Sequence, residues 1–378
     1  MKPAGLIRIN NTKGMIISMA APAFDPKELT ISEEIPGFFP SSPTVPKYSF
    51  PVPMKDAVVA LYNREPIWQI TGMEQKIFRP RVNPDNRLVP LPQKDAGSRN
   101  GIIAKDIFGV EWEFVEQVGA SMVRPGNPMF TNANEWYDKL VWPDVDSWDW
   151  EEAAKAYEKD LSPDKFYVCY IRTGWFERLI SLMDFESAIM ALVDEDQTDA
   201  VKALFERLSE LMIKIIGKYF EYFPQIGAFT INDDWGSQRE TFFSPAMVAE
   251  MIVPYMRSVT DFIHSNNRFC DLHSCGLLYK QIPNMIDAGW DSWSPQLVIN
   301  DSQQLHDAYG DKIIIGAIPA PFDPETTSED EQRAIARDYA DKFCDPKKPT
   351  MLNFYSGMRL PRAFREELYI RSRENYSK

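Results

Sequence analysis

His273 and Cys275 stand one residue apart at the end of a short apolar run, in Phe-Cys-Asp-Leu-His-Ser-Cys-Gly, residues 269–276. On an extended strand alternate side chains share a side, so this gap aims an imidazole and a thiol the same way. Imidazole with thiolate is a zinc-type pair. It supplies two of the four ligands of a closed tetrahedral site, or two of three in an open one. Asp234, Glu177, Gln296 or a water or substrate oxygen are candidates to complete it. A buried His and Cys also occur as plain packing, so the pair alone leaves metal binding open.

A second group of chemical interest is Asp233-Asp234, which follows the apolar run Gly227–Asn232. Paired carboxylates at a strand tip can ligate metal, hydrogen-bond substrate or move protons. They can equally cap a helix or close a turn. Glu177 opens a helical stretch just after another apolar run and faces the same way in the order of elements.

The elements that position these residues become regular from Phe166. Strand-like runs lie near 67, 168, 229, 270, 293, 314 and 352, each followed by a helical stretch. The helices expected are 54–64, 177–193, 198–223, 245–264 (bent at Pro254), 277–288, 301–309, 328–343 and 361–375. Leu204, Leu208, Leu211, Ile215 and Tyr219 form one stripe of the third of these. Strand–helix alternation implies parallel βα units. Seven such strands, with room for an eighth in the irregular region 90–125, predict a (β/α)8 TIM barrel more than an open doubly wound sheet. No GxGxxG follows the first strand, which removes the main mark of a dinucleotide-binding sheet.

In such a barrel the active site lies at the C-terminal ends of the strands. That filter keeps Gln69, Thr71, Arg172, Thr173, Asp233, Asp234, His273, Cys275, Gln296, Tyr355, Ser356 and Glu177. It removes Cys344, which precedes its strand, and Cys270, which sits inside one. His264 and His306 fall on helices and read as surface or packing residues. Trp68, Trp175, Trp235, Trp290, Trp293 and Tyr355 lie near strand ends, where aromatic rings can enclose an aromatic ligand or simply pack.

Composition sets the frame. The chain has 378 residues with 44% hydrophobic and 25% charged, enough for one large domain or two ordinary ones. A net charge of −14 argues against nucleic acid and anionic membranes as partners. The 4 cysteines include no CxxC pair, as expected of reduced thiols in a cytoplasm. No apolar run reaches membrane-span length. Residues 14–23 faintly resemble a signal peptide, but the apolar part is short and broken by Ser18 and Pro22. Residues 1–54 read as a Pro-rich arm laid on the body, a candidate lid or homodimer contact, and 55–378 as the barrel. Phe38-Phe39 and Tyr48-Ser49-Phe50 suggest that the arm docks. Residues 73–100 carry a local basic cluster, read as a solvated loop or an anion contact. Ile107–Val123 reads as a β-hairpin. Trp136, Trp142, Trp148 and Trp150 mark a Trp-rich insertion before the third strand, expected to be a structural cover.

Ordered motifs along this frame resemble one family. They are Asn232-Asp233-Asp234-Trp235-Gly236-Ser237-Gln238, Ser244-Pro245, His273-Ser274-Cys275-Gly276, Ile286-Asp287-Ala288-Gly289 and Ser294-Pro295-Gln296. Upstream, Asp106-Ile107-Phe108-Gly109-Val110-Glu111-Trp112 and Trp142-Pro143-Asp144 join them. Together they resemble the uroporphyrinogen decarboxylase superfamily, and more closely its corrinoid-dependent methyltransferase branch of O-demethylase type. The resemblance implies a (β/α)8 barrel and zinc held by His273 and Cys275. It also implies a methyl group passed from a small methylated substrate, such as a methoxylated aromatic, to the Co(I) of a separate corrinoid protein. In that reading Asp234, Glu177 and Asp233 are catalytic, and Gln296, Trp235, Tyr355 and Trp68 contact substrate. The arginines of the decarboxylase branch are missing: Gly72-Met73-Glu74-Gln75-Lys76 stands in their place. The third Cys of thiol-activating members is also missing from Phe354-Tyr355-Ser356-Gly357. The alternatives are a decarboxylase of a smaller acid and a non-catalytic barrel that binds a corrinoid protein.

Overall fold

Runs of β-branched and aromatic residues bounded by Gly, Pro and Asx turns alternate with helix-period stretches, and the chain folds accordingly. A computed structural model describes residues 23–35, 45–78, 80, 82–85, 101, 103–117, 120–158, 161–295, 299–353 and 360–378. In chain order come an antiparallel pair β1 (Ile31–Ile35) and β2 (Val45–Tyr48), α1 (Met54–Tyr62) and β3 (Gln75–Phe78). The antiparallel strands β4 (Ile103–Lys105), β5 (Glu111–Val115) and β6 (Ala120–Val123) follow, then the short helices α2 (Trp136–Lys139) and α3 (Trp150–Tyr157). Next are β7 (Phe166–Ile171), α4 (Trp175–Met183), α5 (Phe185–Ala191), α6 (Thr198–Tyr222), β8 (Ile226–Asn232), α7 (Pro245–Met251) and α8 (Val253–Ser265). The rest is β9 (Phe269–Ser274), α9 (Ile282–Asp287), β10 (Ser292–Pro295), α10 (Ser302–Tyr309), β11 (Ile314–Ala317), α11 (Glu329–Phe343), β12 (Thr350–Leu352) and α12 (Arg362–Tyr376).

Seven of these strands, β3 and β7 to β12, belong to one sheet. The chain therefore has the TIM-barrel-like α/β fold that the strand count predicts, with seven sheet strands among the described residues. The region 90–125 contributes no eighth strand among them; its described part builds the separate β4–β5–β6 sheet. That sheet contains the expected hairpin, with a third strand added.

Contacts divide the chain into two compact units. One takes 77–161 and 167–299. In it β7, β8, β9 and β10 pair in parallel, each with the next. The expected stripe of α6 is buried, from Leu204 to Tyr219. The Trp-rich stretch covers that helix. The Trp136 indole donates to the Ala200 carbonyl at 2.9 Å, Arg207 lies over the Trp142 ring, and Trp150 meets Tyr219 edge-on. Asp106 accepts from the amides of Phe108 and Val110 and from the Trp112 indole, and pairs with the buried Arg178. The upstream motif is thus the closure of a turn.

The other unit takes 1–76, 162–166 and 300–378. Here β11 and β12 pair in parallel, and α11 and α12 bury Tyr339, Phe343, Phe364 and Leu368. The described part of the arm docks on α12. Glu28 pairs with Arg373 at 2.8 Å and accepts from Tyr369 at 2.6 Å, and Tyr48 donates to Glu366 at 3.0 Å. Phe38-Phe39 of the arm lie outside the described residues, as do Arg79, Arg81, Arg87, Lys94 and Arg99 of the basic cluster.

Three expectations shift. The run 65–70 is buried but not a strand. Pro66 lacks an amide, the Gln69 amide goes to Ser372 Oγ, and the Gln69 side chain goes to the Thr350 carbonyl. The first sheet strand is β3 instead. The helix expected over 177–193 breaks at Asp184, whose φ is +62°. The Leu182 carbonyl is taken by the amides of Met129 and Phe130, so it cannot carry the helix onward. The helix towards His264 breaks at Ile252, two residues before Pro254, whose ring cannot donate to the preceding turn. No helix of the described residues is long and apolar enough to cross a membrane.

Candidate metal centre

β8 and β9 lie side by side with Asn232 level with His273. Parallel strands end at the same edge, so Asp233-Asp234 and His273–Cys275 emerge together. The Asp233 amide donates to the His273 carbonyl at 3.0 Å. Beyond that rung the two loops stay joined. Asp234 Oδ1 accepts from the Cys275 amide at 2.7 Å, and Ser274 Oγ accepts from the Trp235 amide at 3.1 Å. Gly276 adopts φ +101°, and a Cβ there would lie 2.3 Å from the backbone carbon of Gly236. Two glycine backbones touch at this point, which holds Asp234 against Cys275.

The ligand atoms of Asp234, His273 and Cys275 all lie within 4.8 Å of one another. Cys275 Sγ is 3.5 Å from His273 Nε2. Tetrahedral zinc, at about 2.3 Å from sulfur and about 2.0 Å from nitrogen, spaces two such ligands by about 3.5 Å. Burial holds the His273 imidazole below its ordinary range, opposed by Asp234 and helped by Arg172. It is therefore a neutral ligand near pH 7. Burial pushes the Cys275 thiol up, and the nearby Asp234 and Glu177 add to the rise. Only a cation reverses that, since a coordinating thiol loses its proton outright. A carboxylate, a neutral imidazole and a thiol that needs a cation suit zinc, with a fourth position left for water or substrate.

Glu177 and Asp233 take different parts. Asp233 is wholly buried. Its Oδ1 accepts from the Glu177 amide and its Oδ2 from the Trp235 indole, both at 2.9 Å. It caps the N-terminus of α4 from another element, where Gly174 supplies no side-chain cap. A Cβ on Gly174 would fall 2.6 Å from Asp233 Cβ, so only glycine admits this carboxylate. Burial pushes the Asp233 acid up to about 7, against hydrogen bonds from Glu177, Trp235 and Phe176 and with the Asp234 charge assisting. Burial also holds Glu177 well above the usual carboxylate range, and the charges of Asp234 and Asp233 raise it further. Glu177 therefore keeps its proton to higher pH than an ordinary carboxyl, beside the cluster.

The cluster thus joins His273, Cys275 and Asp234, with Glu177 adjacent and Asp233 beneath. Trp235 is wholly buried with its indole on Asp233. Trp175 and Trp293 are buried too, donating to Ser209 Oγ and the Ser274 carbonyl. Trp68 belongs to the other unit, stacked on Phe50 at 5.0 Å with its indole on Glu74. Gln296, Tyr355 and Ser356 lie outside the described residues. Cys344 donates to Gln69 Oε1, and His306 Nε2 sits 2.9 Å from the Lys348 carbonyl; both are packing groups. Ser274 and Asn232 lie inside the sequence motifs without a role assigned there; Ser274 ties the two loops. Asn232 Oδ1 and Thr173 Oγ1 are buried without a hydrogen-bond partner. In sequence Asn232 opens the motif that contains the carboxylate pair.

No protein-family model matches the chain, and no curated protein matches it. Among solved structures, a methyltransferase from Methanosarcina mazei aligns with a TM-score of 0.54 at 16% identity, covering 86% of this chain and 85% of that one. The likeness shows a shared fold. The spore cortex-lytic enzyme SleL of Bacillus megaterium QM B1551 aligns at TM-score 0.23 and 10% identity over 54% of this chain and 46% of its own. A D-psicose 3-epimerase aligns at 0.28 and 11% over 65% and 84%.

Proposed function

We propose that the chain is a methyltransferase that cleaves a methyl ether, in a methoxylated aromatic, and passes the methyl group to the Co(I) of a separate corrinoid protein. The observation that carries this reading is the cluster of Asp234, His273 and Cys275, with the acid Glu177 beside it, on a fold shared with a methyltransferase. His273, Cys275 and Asp234 would hold zinc, which would supply a Lewis acid for the ether oxygen, a poor leaving group unaided.

The residues of the chain do the rest. The electron pair of the acceptor attacks the methyl carbon, and the C–O bond breaks with its electrons left on oxygen. Glu177, whose acid burial holds above the usual carboxylate range, donates its proton to that oxygen, so a phenol or alcohol leaves and a carboxylate remains. Solvent returns the proton. Asp233 holds the first turn of α4, and with it the Glu177 backbone, in place. Asn232 Oδ1 and Thr173 Oγ1 are polar atoms still lacking partners and suit substrate or bound water. Gln296 completes the proposal as a substrate contact on sequence grounds.

The test mixes the zinc-loaded chain, a reduced corrinoid protein and methoxylated aromatics, and follows loss of the Co(I) absorbance with release of the phenol. Glu177→Gln should lower the rate by about 100-fold or more with zinc content unchanged. No transfer from any methyl donor, or release of CO2 from an acid under the same conditions, sinks the reading.

A further inference from the structure

A second set of metal-ligating side chains converges on β9 at its opposite end. His264 comes from the last turn of α8, Cys270 from the start of β9, and Asp291 from the residue before β10. Cys270 Sγ lies 3.5 Å from His264 Nε2 and 3.5 Å from Asp291 Oδ2. We propose that His264, Cys270 and Asp291 form a second, structural site for a zinc-class divalent ion, at the N-terminal edge of the sheet.

Three observations support it. The donors are of the types zinc prefers, one each of nitrogen, sulfur and oxygen. The two sulfur edges match the spacing of about 3.5 Å that tetrahedral zinc imposes, with bonds of about 2.3 Å to sulfur and about 2.0 Å to nitrogen or oxygen. The third edge, His264 Nε2 to Asp291 Oδ2, is 2.9 Å, a hydrogen-bond length that opens by a few tenths of an ångström around an ion. A His–Asp ion pair explains that edge alone. The Cys270 amide also donates to Asp291 Oδ2, at 2.8 Å, so this one carboxylate oxygen gathers the imidazole and the thiol at a single point, where an ion could take the place of their shared protons. The site also has an entrance, for the His264 and Asp291 side chains are 37% and 23% exposed. The Gly289 carbonyl, 3.6 Å from Sγ, or a water can supply the fourth donor.

The position explains the assignment as structural. Geometry fixed at the N-terminal face of such a sheet serves stability, while chemistry belongs to the other face. An ion here fastens α8, β9 and the entry to β10 below the strand whose tip carries His273 and Cys275. The inference does not rest on the methyl-transfer reading, since it makes no use of His273 or Cys275.

The test removes the first cluster with the double variant His273→Ala, Cys275→Ser in the full chain. Metal is stripped, zinc is restored, and bound zinc is counted after dialysis; Co(II) serves as a second probe. The double variant should retain one zinc per chain and show a thiolate-to-cobalt charge-transfer band. Adding His264→Gln should weaken zinc by about 100-fold or more, and adding Cys270→Ser should abolish the cobalt band. His264 is on an exposed helix end, so its variant decides the matter if Cys270→Ser fails to fold. A double variant that binds no metal overturns the proposal. So does bound metal whose affinity survives His264→Gln.

Discussion

At the scale of single residues, the pair His273 and Cys275 is legible because strand alternation is a local rule. The part played by Asp233 is not. Its partner is the Glu177 amide, 56 positions away, and no periodicity announces a cap supplied from another element. Gly276 shows the same limit: the sequence places a glycine after Cys275, but neither its φ of +101° nor the touching backbone of Gly236 is legible there. Gly276→Ala should therefore destabilise the chain by about 2–3 kcal/mol, since strain at positive φ adds to a backbone clash. It should also weaken zinc, because the Asp234–Cys275 contact depends on that crossing. Urea unfolding and zinc competition by a chromophoric chelator check both; unchanged values in the two assays would mean that the loops are not held by this contact.

At the scale of elements, most helices and strands fall where hydrophobic period and caps place them. The Ser244-Pro245 start is an example, with a side-chain cap at α7. The misses have one cause in common: a backbone group claimed by a distant partner. Leu182 loses its carbonyl to Met129 and Phe130, and Gln69 gives its amide to Ser372. The aromatic residues of the arm suggest docking, yet the stronger tie is the buried Glu28–Arg373 pair. Burial alone would raise the Glu28 acid, but the Arg373 and Tyr369 hydrogen bonds outweigh it and hold the acid below its ordinary range. A carboxyl with a lowered folded value stabilises above its unfolded value and loses that contribution as pH falls through the folded one. Glu28→Gln should thus cost about 3 kcal/mol near pH 7, with the difference from wild type closing as pH drops below about 4. Denaturant midpoints across that range provide the check, and a difference that widens towards acid would refute the charge-pair account.

At the scale of the whole molecule, strand counting predicts the barrel-like α/β fold and the sheet edge at which the first cluster stands. It does not reveal that the contacts divide the chain into two units, because unit membership follows long-range packing. Both candidate metal clusters lie within 234–291, inside one unit, while the Glu28–Arg373 pair lies within the other. A ligand bound by the native state stabilises by about 2.7 kcal/mol at 100 times its dissociation constant. That gain slows amide exchange where opening breaks the ligand site. Zinc added to the metal-free chain should therefore slow hydrogen exchange most in peptides from α4, β8, β9 and β10. Glu28→Gln should instead speed exchange in β1, β2 and α12 and leave the zinc effect in place. Mass-spectrometric exchange on the wild type and this variant, with and without zinc, separates the two responses. Equal slowing throughout the chain would mean that the units open in a single cooperative step.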